Sequence, residues 1–325
     1  MLHDISFTDI GPFNPNDGTK SYTFNSDKVV EVCGYGKTFL LNSLWWALTG
    51  VFPEEVNTKL MTGRPIIPLT QQKNPVVKYS FTTDSGGLVY KEKQFNRHAQ
   101  RWQSKREKQD ILYSGIVVYM LEGGGFAVYD PIRNSRKERL VPAYVFTEFD
   151  VLNGIESYGT AICNGLIRDV ADWQKENGVL FQRFSKILSF LSVKENYTVQ
   201  TGGLTRVSLC DIRDMPTIRM PDGFDIPITL LSYGLRRLVE LAYILLWASD
   251  EHSRMAYLFG IPQELPNFVL LADNFDANLN GDFRDAVVSD LSNILEYVTD
   301  GLPSQFIISR SDLGLQNSIT QQLVL

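Results

Sequence analysis

The five residues Gly34-Tyr35-Gly36-Lys37-Thr38 have the types and spacing of a phosphate-binding loop. They follow a short apolar strand, Lys28 to Cys33, and open a helix predicted from about Lys37 to Leu48. Glycines in such a loop let backbone N–H groups wrap phosphate oxygens, and the helix N-terminus adds partial positive charge. Lys37 would reach the β- and γ-phosphates of ATP, and the Thr38 hydroxyl would hold Mg2+. The complete pattern, G-x-x-x-x-G-K-[ST], wants Gly at position 31, where this chain has Glu31. A carboxylate there is compatible with a triphosphate only if it turns outward.

Three further segments follow in order. Ser232-Tyr233-Gly234 opens a helix predicted to run to Ser249. Ser232 suits an N-cap, and Ser with Gly at a helix start makes an anion site of the kind that caps a nucleotide held by a second subunit. Phe268 to Ala272 reads as a buried strand ending in Asp273, which would hold Mg2+ through water or through Thr38. The next position usually carries the Glu that prepares the attacking water. Here it is Asn274, whose amide hydrogen-bonds water and cannot take its proton. Asp276, two residues on, is the nearest alternative base. The last buried strand, Phe306 to Ile308, leads to Arg310-Ser311, and the three His residues, at 3, 98 and 252, are all far away in sequence.

The elements that must position these groups come from composition and periodicity. At 325 residues and 44% hydrophobic content the chain buries a substantial core, which excludes a mostly disordered protein. The longest strongly apolar stretch, Leu238 to Ala248, is too short to span a membrane and carries Glu240. Three scattered Cys form no CxxC pair, so the expectation is a reducing cytoplasm with no disulfide framework. The N-terminal residues lack the pattern of a signal peptide. Alternation marks strands over residues 1–33 and 76–129, and helices are expected over 159–177, 179–191 and 283–298. The fold class is therefore α/β. The expected arrangement is a nucleotide-binding head of mixed sheet from residues 1–60 and 205–325, split by an inserted lobe at 61–204. That lobe is β-rich over 76–130 and helical over 159–191, and no sustained heptads mark a long coiled coil.

Net charge is −6, unevenly spread. Residues 91–108 hold seven Lys or Arg against two acids. Arg97, Arg101, Lys105 and Arg106, interleaved with Phe95 and Trp102, fit DNA or RNA contact by phosphate pairing and stacking, or docking of an acidic partner. A solvated hairpin accounts for the same charges.

Taken in this order, the segments resemble the ABC-type ATPase head of the SMC/RecF-like superfamily, including the overcoming-lysogenization-defect class and related bacterial AAA family ATPases of anti-phage defence type. The similar stretches are Gly34 to Leu41, Trp45 to Gly50, Phe126 to Pro131, Cys163 to Asp169, Trp173-Gln174, and Arg236 to Ala248. The resemblance implies ATP and Mg2+ as cofactors, with nucleotide contacts from Gly34, Gly36, Lys37, Thr38, Phe39, Ser232 and Gly234. Thr38 and Asp273 are then the metal ligands. It implies a homodimer or higher homo-oligomer closed head to head around ATP, acting as sensor or scaffold for an effector subunit. Gln174 is then either the glutamine that senses Mg2+ and water or a helix-surface residue. The departures fall on the catalytic positions: Glu31, Asn274, Ala277-Asn278-Leu279-Asn280 in place of Ala-His-Leu-His, and Ser311 in place of a terminal His. The expectation is nucleotide binding with slow or absent hydrolysis. The alternative is a pseudo-ATPase scaffold that docks a nuclease or toxin.

Overall fold

The computed structural model describes all residues except 13–17, 27–28, 84–85, 105–111, 135–141, 158, 192–198, 262–266, 280 and 312–319, and the side chains of 157, 281–286 and 289. The chain begins with β1 (Leu2–Thr8), β2 (Thr19–Thr23), β3 (Val29–Cys33), α1 (Lys37–Thr49) and the short α2 (Pro53–Val56). It continues with β4 (Val76–Thr82), β5 (Leu88–Asn96), β6 (Arg101–Ser104), β7 (Ile116–Met120), β8 (Phe126–Tyr129), α3 (Pro131–Asn134) and β9 (Tyr144–Phe146). Next come α4 (Glu148–Asn153), β10 (Ile155–Ser157), β11 (Thr160–Cys163), α5 (Leu166–Glu176), α6 (Val179–Phe190), β12 (Gln200–Thr205), β13 (Met215–Arg219) and β14 (Asp225–Pro227). The chain closes with α7 (Tyr233–Leu258), β15 (Phe268–Ala272), α8 (Gly281–Val298), β16 (Ser304–Ser309) and β17 (Thr320–Val324).

Seven strands form the central sheet in the order β17-β3-β16-β15-β7-β8-β9. The first five run parallel, and β8 and β9 are antiparallel, so the sheet is mixed. Parallel strands need both faces covered, and their sequences show it. In β15, Phe268, Leu270 and Ala272 join one apolar core while Val269 and Leu271 join the other. In β7, Ile116, Val118 and Met120 alternate in the same way with Val117 and Tyr119. The first core holds α7 and parts of α5, α6 and α8. The second holds α1, roofed by an antiparallel sheet of order β2-β1-β4-β5-β6. α1 is consequently apolar almost all round and buried from Leu40 to Thr49.

The strands between α2 and α4 join sheets that also hold strands from the two ends of the chain. β4, β5 and β6 complete the sheet begun by β1 and β2, and β7, β8 and β9 extend the central sheet beside β15. The reason is visible in β7: five consecutive buried residues, Ile-Val-Val-Tyr-Met, require a central position. Residues 160–163, expected as helix, form strand β11, and α5 starts only at Leu166. Among the described residues no helix is long and apolar enough to cross a membrane.

Candidate nucleotide-binding site

The C-terminal ends of β3, β16, β15 and β7 lie side by side, the usual position for a ligand site on a parallel sheet. Ala272 is in register with Ile308 on one side and Met120 on the other. The residues just beyond, Asp273 and Ser309, therefore emerge at one level, and Glu122 follows Leu121 one residue further on. Gly34 and Gly36, beyond β3, take left-handed φ values of 100° and 94°. At Gly34 a Cβ would also sit 2.9 Å from the Leu325 carbonyl oxygen, so only glycine fits. Gly36 is the N-cap of α1 with no side-chain cap, so the first N–H groups of that helix point into the loop without a side-chain acceptor. Tyr35 at the loop apex is 91% exposed.

Lys37 and Thr38 start α1. Lys37 Nζ donates to the Arg310 carbonyl at 2.7 Å. The Thr38 hydroxyl lies 3.5 Å from Glu122 Oε2, and Glu122 Oε1 accepts from Asn274 Nδ2 at 2.9 Å. Asp273 is fully buried. Its Oδ1 accepts from the Ser309 hydroxyl at 2.6 Å, while its Oδ2 has no hydrogen-bond partner. Burial raises the Asp273 pKa; the Ser309 and Thr38 hydroxyls oppose the rise, Glu122 adds to it and the Lys37 charge also opposes it. Asn274 is at φ 50°, a left-handed conformation that Asn tolerates and Glu does not readily adopt. Local backbone geometry thus favours the residue found where a catalytic Glu was expected.

The donor set suits Mg2+: a hydroxyl and carboxylates, hard oxygen ligands, with one buried carboxylate oxygen unpartnered. Among the described residues no group of three or more His, Cys, Asp or Glu could hold a metal by itself. A cation held by Thr38 and Asp273 would need phosphate and water oxygens as well, which is how Mg2+ is usually bound.

Glu31 turns away from the loop. Its Oε1 accepts from Arg310 Nη1 at 2.8 Å, and both side chains are almost wholly buried. Arg310 Nε is also 3.9 Å from Asp276 Oδ2. Asp276, considered above as a base, is 2% exposed and accepts from the Ser311 backbone N–H and, at 2.8 Å, from the Ser311 hydroxyl. Its carboxylate is committed to Ser311 and Arg310.

The start of α7 contacts the same site. Arg237 Nη2 donates to the Leu121 carbonyl at 2.6 Å, and Arg236 pairs with Glu148. Gly234 packs so closely that a Cβ would lie 2.6 Å from the Asn278 carbonyl oxygen. Ser232 is exposed and its hydroxyl does not cap the helix it precedes.

The surroundings of the other expected residues are as follows. Phe39 packs against Phe7, ring centroids 5.1 Å apart, and belongs to the core edge. Gln174 donates to the Gly202 carbonyl at 2.8 Å and takes the helix-surface role. In the basic hairpin, Phe95 is buried and Trp102 packs between Phe95 and Trp46, so neither ring offers a free face to a base. Arg97 holds the Leu69 and Gln72 carbonyls. Arg101 is exposed, and Lys105 and Arg106 lie outside the described residues. The residue that sequence reading overlooked is Glu122. Its signal is an acid that ends the apolar run Ile116 to Leu121.

No family model matches the chain, and no curated protein does. Solved structures similar to it include an Smc head bound to the C-winged helix domain of ScpA, at 15% identity and TM-score 0.48, covering 96% of this chain and 89% of that one. A second is the SMC head domain from Thermotoga maritima, at 15% identity and TM-score 0.41, covering 96% and 89%. A third is an Smc head domain with an extended coiled coil, bound to the C-terminal domain of ScpA, derived from Pyrococcus furiosus, at 13% identity and TM-score 0.46, covering 96% and 90%.

Proposed function

We propose that this protein binds ATP with Mg2+ and uses the bound nucleotide as a clamp between two copies of itself, with slow turnover. The observation that carries the reading is the convergence at one strand-end level of the Gly34–Thr38 loop and Asp273, whose Oδ2 is buried and unpartnered. Lys37 and the backbone N–H groups of the loop would hold the phosphates. Thr38 and Asp273 would hold Mg2+, which would offset phosphate charge when bound. The burial of Glu31 against Arg310 supports this reading, since its charge is paired with a guanidinium and not left bare beside the loop.

The exposed, uncapping hydroxyl of Ser232 supports the second part, an anion site directed at the nucleotide of another copy. Asn274 and the committed Asp276 support slow turnover. The role of such a latch, sensing or scaffolding for an effector in a bacterial defence-type complex, rests on the sequence resemblance. The second reading, a scaffold that binds no nucleotide, draws support from the bond between Lys37 Nζ and the Arg310 carbonyl, which occupies the loop lysine.

Calorimetry separates the two. Wild type should bind Mg·ATP, and Lys37→Ala should weaken binding by about 1.5–3 kcal/mol or more, the worth of a charge-assisted hydrogen bond. Equal affinity of the two proteins, or none in either, refutes the ATP reading.

A further inference from the structure

We infer that Glu122 is the general base for whatever ATP turnover this protein performs, standing in for the carboxylate that is missing after β15. The inference rests on the nucleotide reading above and adds a catalytic residue to it.

Among the described residues, the carboxylates near the site besides Glu122 include Glu31, Asp273, Asp276 and Glu148, and each is buried or held by another side chain. Glu31 is buried on Arg310. Asp273 is fully buried, with the Ser309 hydroxyl on one oxygen. Asp276 is held by Ser311, and Glu148 is paired with Arg236. Glu122 is exposed at the site mouth, beyond the C-terminal end of β7, the strand next to β15. One of its oxygens is 2.9 Å from the Asn274 amide, and the other is 3.5 Å from the Thr38 hydroxyl. A carboxylate on position 274 would therefore sit within one hydrogen bond of where the Glu122 carboxylate already is. The acid has been displaced sideways by one strand, and the Asn that took its place donates to it.

The turn that carries Glu122 is fixed on both sides. Arg237, buried in α7, holds the Leu121 carbonyl, and the Gly124 N–H returns to Leu121 O at 3.2 Å. A base must lie within hydrogen-bond reach of the water it activates, and a fixed turn satisfies that requirement better than a free loop.

In the step itself, the water oxygen bonds to the γ-phosphorus as the bond from that phosphorus to the β,γ-bridging oxygen breaks. The bridging oxygen keeps the electron pair and leaves on ADP. The water proton passes to the Glu122 carboxylate and then to solvent.

The experiment exchanges the two groups. Glu122→Gln removes the base while keeping the shape, and Glu122→Gln with Asn274→Asp restores a carboxylate one hydrogen bond away. Asp, like Asn, tolerates the left-handed backbone at 274. Mg·ATP affinity is measured by calorimetry and phosphate release by single turnover. The inference expects Glu122→Gln to bind ATP within about 3-fold of wild type and to lose about 10²–10⁴-fold in hydrolysis. The exchanged pair should recover at least about tenfold of that loss. Glu122→Gln hydrolysing like wild type, an exchanged pair as silent as the single variant, or a wild type that binds ATP and releases no phosphate would each overturn it. A wild type that binds no ATP would overturn the nucleotide reading and this inference with it.

Discussion

The buried pair between Glu31 and Arg310 sets a stability test that is independent of any ligand. Arg310→Met leaves the Glu31 carboxylate, 1% exposed on an interior strand between β17 and β16, without its cation. Glu31 Oε2 has no hydrogen-bond partner, and among the described residues the structure shows no second cation on this side chain. Breaking one side of a buried pair typically costs about 3–5 kcal/mol. Glu31→Leu should cost less, because Arg310 still has Asp276 at 3.9 Å and its backbone N–H remains on the Val32 carbonyl at 2.9 Å. Replacing both residues, Glu31→Leu with Arg310→Met, removes two desolvated charges at once and should cost clearly less than Arg310→Met alone, the remainder coming from Asp276, which keeps Ser311 and loses Arg310. Because the double variant costs less than Arg310→Met alone, the double-mutant cycle should show a coupling larger in size than the Glu31→Leu cost, well above what separated sites show. Urea unfolding followed by tryptophan fluorescence measures all four proteins. The reasoning fails if Arg310→Met lies within about 1 kcal/mol of wild type, or if the double variant costs the sum of the singles.

Further outcomes follow from the same geometry. Ser232→Arg places a large cation on an exposed helix start, and should abolish ATP-dependent dimerisation in light scattering while leaving the circular dichroism unchanged; a variant that still pairs with ATP would contradict the interface. Glu240 is fully buried in α7, 3.6 Å from Arg236 Nε, and burial pushes its pKa from 4.5 up to about 8. Between those two values the folded protein holds a proton that the unfolded chain has released, so this group's contribution to stability falls as pH rises through the window. Glu240→Gln cannot titrate, and its Tm should gain on wild type between pH 5 and pH 8; a gap that stays constant across that window would refute the assignment.

The parts legible in the sequence are those whose signal is local. The Gly34–Thr38 loop, α1 and β15 each lie within a dozen or so consecutive residues, and the buried strands declare themselves by continuous apolar runs. What could not be read depends on distant pairing. Nothing near Glu31 in the chain points to Arg310, 279 positions away, yet that contact decides whether Glu31 faces the loop. Glu122 stands beside Thr38 and Asn274 only because β7 pairs with β15, and the sequence gives no indication of which strands are neighbours. The inner face of the basic hairpin was hidden in the sequence for a different reason. Its Lys91, Lys93 and Phe95 alternate onto the inner face of β5, so charge and aromatic content were read as surface where one face is core. Strand β17 went unnoticed because Thr-Gln-Gln-Leu-Val carries too few apolar residues to show a period.

The central claim is that nucleotide enters the Gly34–Thr38 loop. A crystal structure with Mg2+ and a non-hydrolysable ATP analogue at saturating concentration tests it directly. The account predicts phosphate density against the loop N–H groups, with Lys37 Nζ moved from the Arg310 carbonyl to the phosphates and a cation between Thr38 and Asp273. A loop without nucleotide, with Lys37 still on the Arg310 carbonyl as it is at 2.7 Å here, would contradict it.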